Sequence, residues 1–147
     1  MTNSKLFKKI LIATDGSEKN KSAVEEAVKI ARACGSTVYA IYVMDESLMK
    51  SAIEVPIAEN LYKRIREEGE EAVNWVKENA QGVNLETFIL SGRPARAIAE
   101  FAEQKEVDLI VVGTQGKSGI ERFLLGSVAD EVIRTAGCPV LTIRSRK

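Results

Sequence analysis

Histidine is absent from this chain of 147 residues, and its absence removes several kinds of enzyme chemistry. Without an imidazole, the chain has no Ser-His-Asp or Cys-His arrangement and no HExxH zinc site. It also lacks the side chain that most often transfers protons at neutral pH. Much hydrolase chemistry is therefore excluded.

Cysteine is scarce, and long apolar runs are missing. The two cysteines, Cys34 and Cys138, lie in apolar surroundings without CxxC or metal-ligand spacing, so we expect small core residues in a reducing compartment. No apolar run reaches membrane-spanning length, and none of signal-peptide length follows the charged N-terminus. These absences predict a cytoplasmic protein without a membrane partner.

Net charge is also lacking, because 21 basic residues balance 21 acidic ones. No overall field attracts the chain to nucleic acid, so we expect no nucleic-acid partner. Hydrophobic residues make up 45% of the sequence, and the length suits one domain with a full core. We therefore predict a single domain over residues 1–147.

Apolar runs rich in β-branched residues alternate with segments of helical periodicity. The runs predict strands over 8–14, 37–44, 83–90, 107–112 and 139–144; the periodic segments predict helices over 22–34 and 61–80, and from Pro94 and Ser127. Gly35 suits the position after a helix. Residues 45–59 show no clear period and are predicted to form a loop or lid. This alternation predicts an α/β fold with a parallel sheet covered on both faces.

Glycines follow the fourth predicted strand in a distinctive pattern. Gly113 and Gly116 are followed, after nine residues, by Gly126 and Ser127, where a helix is predicted to begin. Glycine lets backbone N–H groups approach a ligand closely, and a helix start adds unpaired donors. The pattern favours a phosphate-binding loop over glycines that only shape turns. Ser127, three residues before Asp130, is also an N-cap candidate.

Ligands of parallel α/β sheets bind beyond the carboxyl ends of the strands. Asp15, Val43, Ser91 and Gly113 all lie at such ends. Asp15 has two interpretations at this point. It could contact a ribose hydroxyl or a phosphate-bound Mg²⁺, or it could stabilise its own Asp-Gly-Ser turn. Its position at the same edge as Gly113 favours a role in binding.

Three familiar nucleotide or phosphate sites do not fit. A Walker A loop ending at Gly116 would need a glycine at position 111, which is Val111. The GxGxxG pattern of dinucleotide-binding proteins is absent after the first strand, where Gly16 stands alone. A phosphate-accepting receiver domain would need an aspartate after the third strand, where Ser91 stands instead.

The remaining pattern resembles the universal stress protein family. The resemblance rests on the spacing Gly113-x2-Gly116-x9-Gly126-Ser127, which is similar to the family's ATP-binding signature. It continues through ILIATDGS at 10–17, GRP at 92–94, DLIVVG at 108–113, FLLGSV at 123–128 and CPVL at 138–141. It extends from about residue 5 to residue 144, nearly the whole chain.

The resemblance implies a Rossmann-like fold with five parallel strands in the order 3-2-1-4-5. It further implies a homodimer, formed through the C-terminal strand 139–144. In the ATP-binding branch, Ala13, Thr14 and Asp15 would line the adenosine pocket and the Val43 backbone would contact the adenine edge. The phosphates and ribose would be held by Gly113, Gly116, Gly126, Ser127 and Val128.

The expected ligand is therefore ATP, or AMP or ADP, with Mg²⁺ or Mn²⁺ held between the phosphates and Asp15. We expect a nucleotide-dependent regulatory protein of the stress response, with at most weak ATP hydrolysis, because no water-orienting base is evident apart from Asp15. Two alternatives remain open: a slow ATPase or phosphotransferase, and a nucleotide-independent dimeric structural or chaperone-like protein. The sequence names no regulatory partner.

Overall fold

The computed structural model describes residues 6–47, 58–114 and 125–145. Its described part forms one five-stranded sheet in the order β3-β2-β1-β4-β5, with every neighbouring pair parallel. The strands are β1 (Lys9–Ala13), β2 (Thr37–Asp45), β3 (Asn84–Gly92), β4 (Leu109–Gly113) and β5 (Val140–Ile143). The predicted α/β class and the strand order implied by the resemblance are confirmed.

Helices connect these strands and begin or end at residues that favour it. The helices are α1 (Lys21–Cys34), α2 (Ala58–Asn79), α3 (Pro94–Gln104) and α4 (Ser127–Thr135). Gly35 ends α1 in the left-handed conformation with φ +65°, which glycine adopts without steric cost. Pro94 stands in the first turn of α3, where its missing N–H removes no helical hydrogen bond.

The core lies on both faces of the sheet because successive strand side chains point in opposite directions. Ile10 and Ile12 of β1 pack with α1 and the end of α2, whereas Leu11 packs with α3 and α4. All three side chains are fully buried. Helices therefore cover the two faces, and the carboxyl ends of the strands remain as an edge where loops meet.

Several boundaries differ from the prediction. β3 continues through Ser91 and Gly92, beyond its predicted end at residue 90, because β2 is long enough to pair with them at Met44 and Asp45. β4 begins at Leu109, since the N–H of Val107 bonds instead to the carbonyl of Ala102.

The predicted loop or lid at 45–59 is shortened at both ends. Asp45 belongs to β2, and Ala58 and Glu59 belong to α2; residues 48–57 lie outside the described part. Both cysteines are free thiols and only partly buried, although Cys138 packs against the core beneath α3 and α4, as expected of a core residue. Within the described residues, no helix is both long and apolar enough to cross a membrane.

Candidate functional site

A cavity of about 290 Å³ opens where the carboxyl ends of β1, β2 and β4 meet the first turn of α4. Its size is close to the lower end of the range for small-molecule sites, roughly 300–1,000 Å³. Eight of the residues singled out from the sequence line it: Ala13, Thr14, Asp15, Val43, Gly113, Gly126, Ser127 and Val128. The ninth, Gly116, lies outside the described residues.

The turn after β1 fixes the carboxylate of Asp15. Its Oδ1 accepts hydrogen bonds from the Ser17 N–H at 2.9 Å and from the Ser17 hydroxyl at 2.7 Å. Both interpretations of Asp15 are therefore compatible, because one oxygen holds the turn while the residue also lines the cavity. Asp45 and Ser47 repeat the arrangement after β2, with distances of 2.9 and 2.7 Å.

Helix α2 forms a further wall because it comes unusually close to β2. A Cβ atom added at Gly69 would lie 2.7 Å from Cδ1 of Tyr42, a distance that real Cβ atoms essentially never show. Glycine at this position permits the close approach. Glu68, directly before Gly69, and Ile65, one turn earlier, line the cavity.

The loop between β4 and α4 is closed at its base by a backbone hydrogen bond. The N–H of Gly126 donates to the carbonyl of Thr114 at 2.7 Å, and the N–H of Thr114 donates to Ile143 at 3.0 Å. These bonds hold the beginning of α4 beside the end of β4. The two ends of the glycine pattern, Gly113 and Gly126, thus line the same cavity.

The prediction that Ser127 caps α4 was wrong. Gly126 is the N-cap, with extended φ −61° and ψ 152°, and no side chain caps the helix. Ser127 is already the first helical residue, and the carboxylate of Asp130 pairs with Arg134 at 2.8 Å. No hydrogen bond joins the Ser127 hydroxyl to another described residue.

Three carboxylates line the cavity, from Asp15, Asp45 and Glu68, and the described lining residues include no lysine or arginine. An anionic ligand would therefore depend on backbone N–H groups and on the positive end of the α4 dipole. The described residues contain no cluster of three metal-ligating side chains. A metal ion here would need ligands from a bound molecule or water.

Sequence reasoning missed some lining residues, among them Asn20, Asp45 and Glu68. Asp45 follows the same end-of-strand rule as Asp15 and could have been found from an extended β2. Glu68 lies one helical turn after Ile65, on a face predicted to pack inward. Asn20 gives no motif signal, because its placement depends on how the turn after Ser17 packs.

A larger groove, of about 780 Å³, lies between α3 and α4. Both of its arginines already face carboxylates, since Arg96 pairs with Glu100 at 3.1 Å and Arg93 approaches Glu131 at 4.0 Å. Neither Gly113 nor Gly126, the described glycines of the phosphate-binding pattern, lines it. We therefore place the candidate site in the smaller cavity, where the sequence pattern and the geometry agree.

Comparison with known proteins decides the family. The model of the universal stress protein family matches residues 6–144. The chain belongs to the universal stress protein family. A curated relative, universal stress protein MJ0531 of Methanocaldococcus jannaschii, is 47% identical over 144 residues, which cover 97% of this chain and 85% of the relative.

Solved structures share the fold, and two of them are universal stress proteins in complex with nucleotides. The hypothetical protein MJ0577 superposes with a TM-score of 0.84 at 30% identity, covering 97% of this chain and 99% of that one. A universal stress protein solved in complex with cAMP superposes with a TM-score of 0.69 at 28% identity, covering 96% of this chain and 99% of that one. The universal stress protein from Archaeoglobus fulgidus in complex with dAMP superposes with a TM-score of 0.63 at 25% identity, covering 95% of this chain and 99% of that one.

Proposed function

We propose that this universal stress protein binds an adenine nucleotide, with ATP as the main ligand and AMP or ADP as weaker ones. The observation that carries the proposal is the convergence of residues 13–15, Val43, Gly113 and 126–128 on one cavity. These residues come from the ends of three strands and the start of one helix. Their meeting is what a site for one extended ligand requires.

The two walls of the cavity suit the two ends of a nucleotide. Val43 and Ala13 offer apolar surface and backbone groups to the adenine and ribose. The N–H groups of Ser127 and Val128 in the first turn of α4, together with the α4 dipole, suit phosphate oxygens. Gly116 and the rest of the loop would complete the phosphate contacts, as the glycine spacing predicts.

Two relatives support an adenine ligand, because cAMP and dAMP share the adenine base, a sugar and a phosphate. ATP adds two phosphates and therefore more negative charge, which the acidic lining would oppose. A Mg²⁺ or Mn²⁺ ion between the phosphates and Asp15 would offset that charge. A single carboxylate is sufficient for Mg²⁺, which usually keeps several waters and phosphate oxygens as ligands.

The biological role that we infer is regulatory: bound nucleotide, or the dimer that holds it, is recognised by a partner during the stress response in the cytoplasm. The dimer would form through residues 139–144, since β5 lies at the sheet edge and pairs only with β4 in the described chain. Light scattering of the purified protein should then give twice the monomer mass.

The experiment begins with acid extraction of the purified protein and identification of any released nucleotide. We expect adenine nucleotide. Added Mg-ATP should also raise the melting temperature, because a ligand at about 100 times its Kd stabilises the native state by about 2.7 kcal/mol. If no nucleotide is released and Mg-ATP gives no thermal shift, the proposal is refuted.

A matched pair of variants on α4 tests the site itself. Ser127→Ala should weaken Mg-ATP binding about five- to tenfold through the loss of one hydrogen bond. Thr135→Ala serves as the control, because its hydroxyl bonds to the Glu131 carbonyl at the far end of the same helix. Equal effects of the two variants would argue against this cavity. Sustained Mg-dependent ADP production that is lost in Asp15→Ala would instead support an ATPase.

A further inference from the structure

Asn20 carries a buried polar atom without a partner. The side chain is only 5% exposed, and among the described residues its Oδ1 is the one buried side-chain nitrogen or oxygen with no hydrogen bond. Asn20 is the N-cap of α1, yet its side chain makes no capping bond. Buried polar groups are nearly always paired, so an exception in a native structure needs an explanation.

The position of Asn20 supplies one, because the residue lines the candidate cavity. It ends the short turn that follows β1, and this turn packs against β4. In the sheet, β1 lies between β2, which carries Val43, and β4, which carries Gly113. Asn20 therefore lines the same cavity as the proposed adenine wall at Val43 and the proposed phosphate wall at Gly113. In any nucleotide the sugar joins these two parts.

We propose that Asn20 accepts a hydrogen bond from a ribose hydroxyl and so determines the sugar specificity of the site. This inference rests on the proposed nucleotide-binding function. An unpaired acceptor needs a donor, and a ribose hydroxyl can donate, whereas an ionised phosphate oxygen can only accept. Oδ1 is enclosed in the ligand-free cavity, but the terminal torsion of asparagine is broad, so the amide can turn toward a ligand at little cost.

Asp15 is less suited to this task, because its Oδ1 already accepts two hydrogen bonds from Ser17. Thr14, which is 8% exposed, bonds through Oγ1 to the N–H of Gly16 at 3.2 Å. The side chains of both neighbours therefore already form hydrogen bonds within the turn. The side chain of Asn20 forms no capping bond at the start of α1, and its Oδ1 has no partner.

The test measures dissociation constants of ATP, 2′-deoxy-ATP and 3′-deoxy-ATP for the wild-type protein and for Asn20→Ala. The wild type should bind one deoxy analogue about tenfold more weakly than ATP, the effect of one lost hydrogen bond. Asn20→Ala should bind ATP about tenfold more weakly and lose this preference, because the partner of the hydroxyl is gone. Asn79→Ala, which alters an exposed asparagine bonded to Trp75, should retain it.

A structural role would give a different result. If Asn20 only supports the start of α1, or holds a buried water, Asn20→Ala lowers the melting temperature and keeps the sugar preference, which overturns the inference. Equal binding of the three nucleotides by the wild type overturns it as well. If the alanine variant does not fold, Asn20→Ser retains a residue favoured at helix starts and should lose the same preference. No binding of any nucleotide by the wild type refutes the proposed function, and the inference with it.

Discussion

The two ends of the β-sheet differ in how completely their polar groups are paired. At the amino end, Oδ2 of Asp108 accepts the N–H groups of Lys8 at 3.0 Å and Lys9 at 2.9 Å. At the carboxyl end, Oδ1 of Asn20 has no partner, and the hydroxyl of Ser127 has none among the described residues. The carboxyl end also contains internally paired groups, such as Asp15 with Ser17, but it retains unused hydrogen-bonding capacity beside them.

This difference separates stability from recognition. Polar groups that bond within the chain tie its segments together, as Asp108 ties the start of β4 to the start of β1. Polar groups left over at a concave edge cost stability until a ligand binds them. Substitutions at the amino end should therefore change the free energy of unfolding, whereas those at the carboxyl end should change ligand affinity.

The largest effect that we expect at the amino end comes from Asp108→Ala. The variant removes a charged acceptor from two N–H groups and should lower the free energy of unfolding by about 2 kcal/mol, since bonds to charged groups contribute roughly 1.5–3 kcal/mol each and this site is partly exposed. Urea denaturation measures the loss. The thermal shift given by Mg-ATP should stay unchanged.

Asp108→Asn is the matched control, because its amide oxygen can replace the single carboxylate oxygen that accepts both bonds. It should recover more than half of the lost stability. If folded Asp108→Ala lost nucleotide binding, the claim that the amino end affects stability and the carboxyl end affects ligand affinity would be wrong.

Ser36→Ala should give a smaller loss, of about 1 kcal/mol, because one neutral hydrogen bond is removed from a buried site. Ser36 is 3% exposed and its hydroxyl donates to the carbonyl of Phe7 just before β1. Its measurement is the same urea titration. A change in Mg-ATP affinity larger than the change in stability would contradict the assignment of this end to structure alone.

Cys138, just before β5, gives the smallest effect, and a pH-dependent one. Burial, and then the negative charge of Asp108, raise the pKa of its thiol, against a backbone hydrogen bond with Ile110 that lowers it. Fewer thiolates are then present at a given pH, so alkylation in a Cys34→Ser background should reach half-maximal rate above the ordinary thiol pKa. Asp108→Asn should move that midpoint down.

The sign for stability follows from the same shift. Because the folded protein favours the neutral thiol, this contribution to the free energy of unfolding is intact below the ordinary thiol pKa. It is lost as the pH rises toward the raised pKa of Cys138. An alkylation midpoint at or below that of a free thiol would contradict the described surroundings.

Much of the fold could be predicted from the sequence because its signals are local. Gly35 ends α1 as its position suggests, and Pro94 opens α3. The errors arose where tertiary pairing decides. Ser91 and Gly92 belong to β3 because β2 is long enough to pair with them. Ser127 is not the N-cap because Gly126, one residue earlier, has the extended conformation of that position.

The candidate site divides in the same way. The end-of-strand rule and the glycine spacing located Asp15 and Gly113, since each depends on a short stretch of chain. Asn20 and Glu68 could not be found from such local patterns, because they reach the cavity through packing between separate elements. Gly69 has no motif either, although its close approach to Tyr42 positions the α2 wall.

The most direct test of the difference between the two ends is a titration of the ¹⁵N-labelled protein with Mg-ATP, followed by NMR. We predict that amide shifts concentrate at the carboxyl end, at Ala13, Val43, Gly113 and residues 126–128, while Lys9 and Ser36 at the amino end stay unchanged. Shifts centred on the amino end, or no shifts at saturating Mg-ATP, would contradict the account.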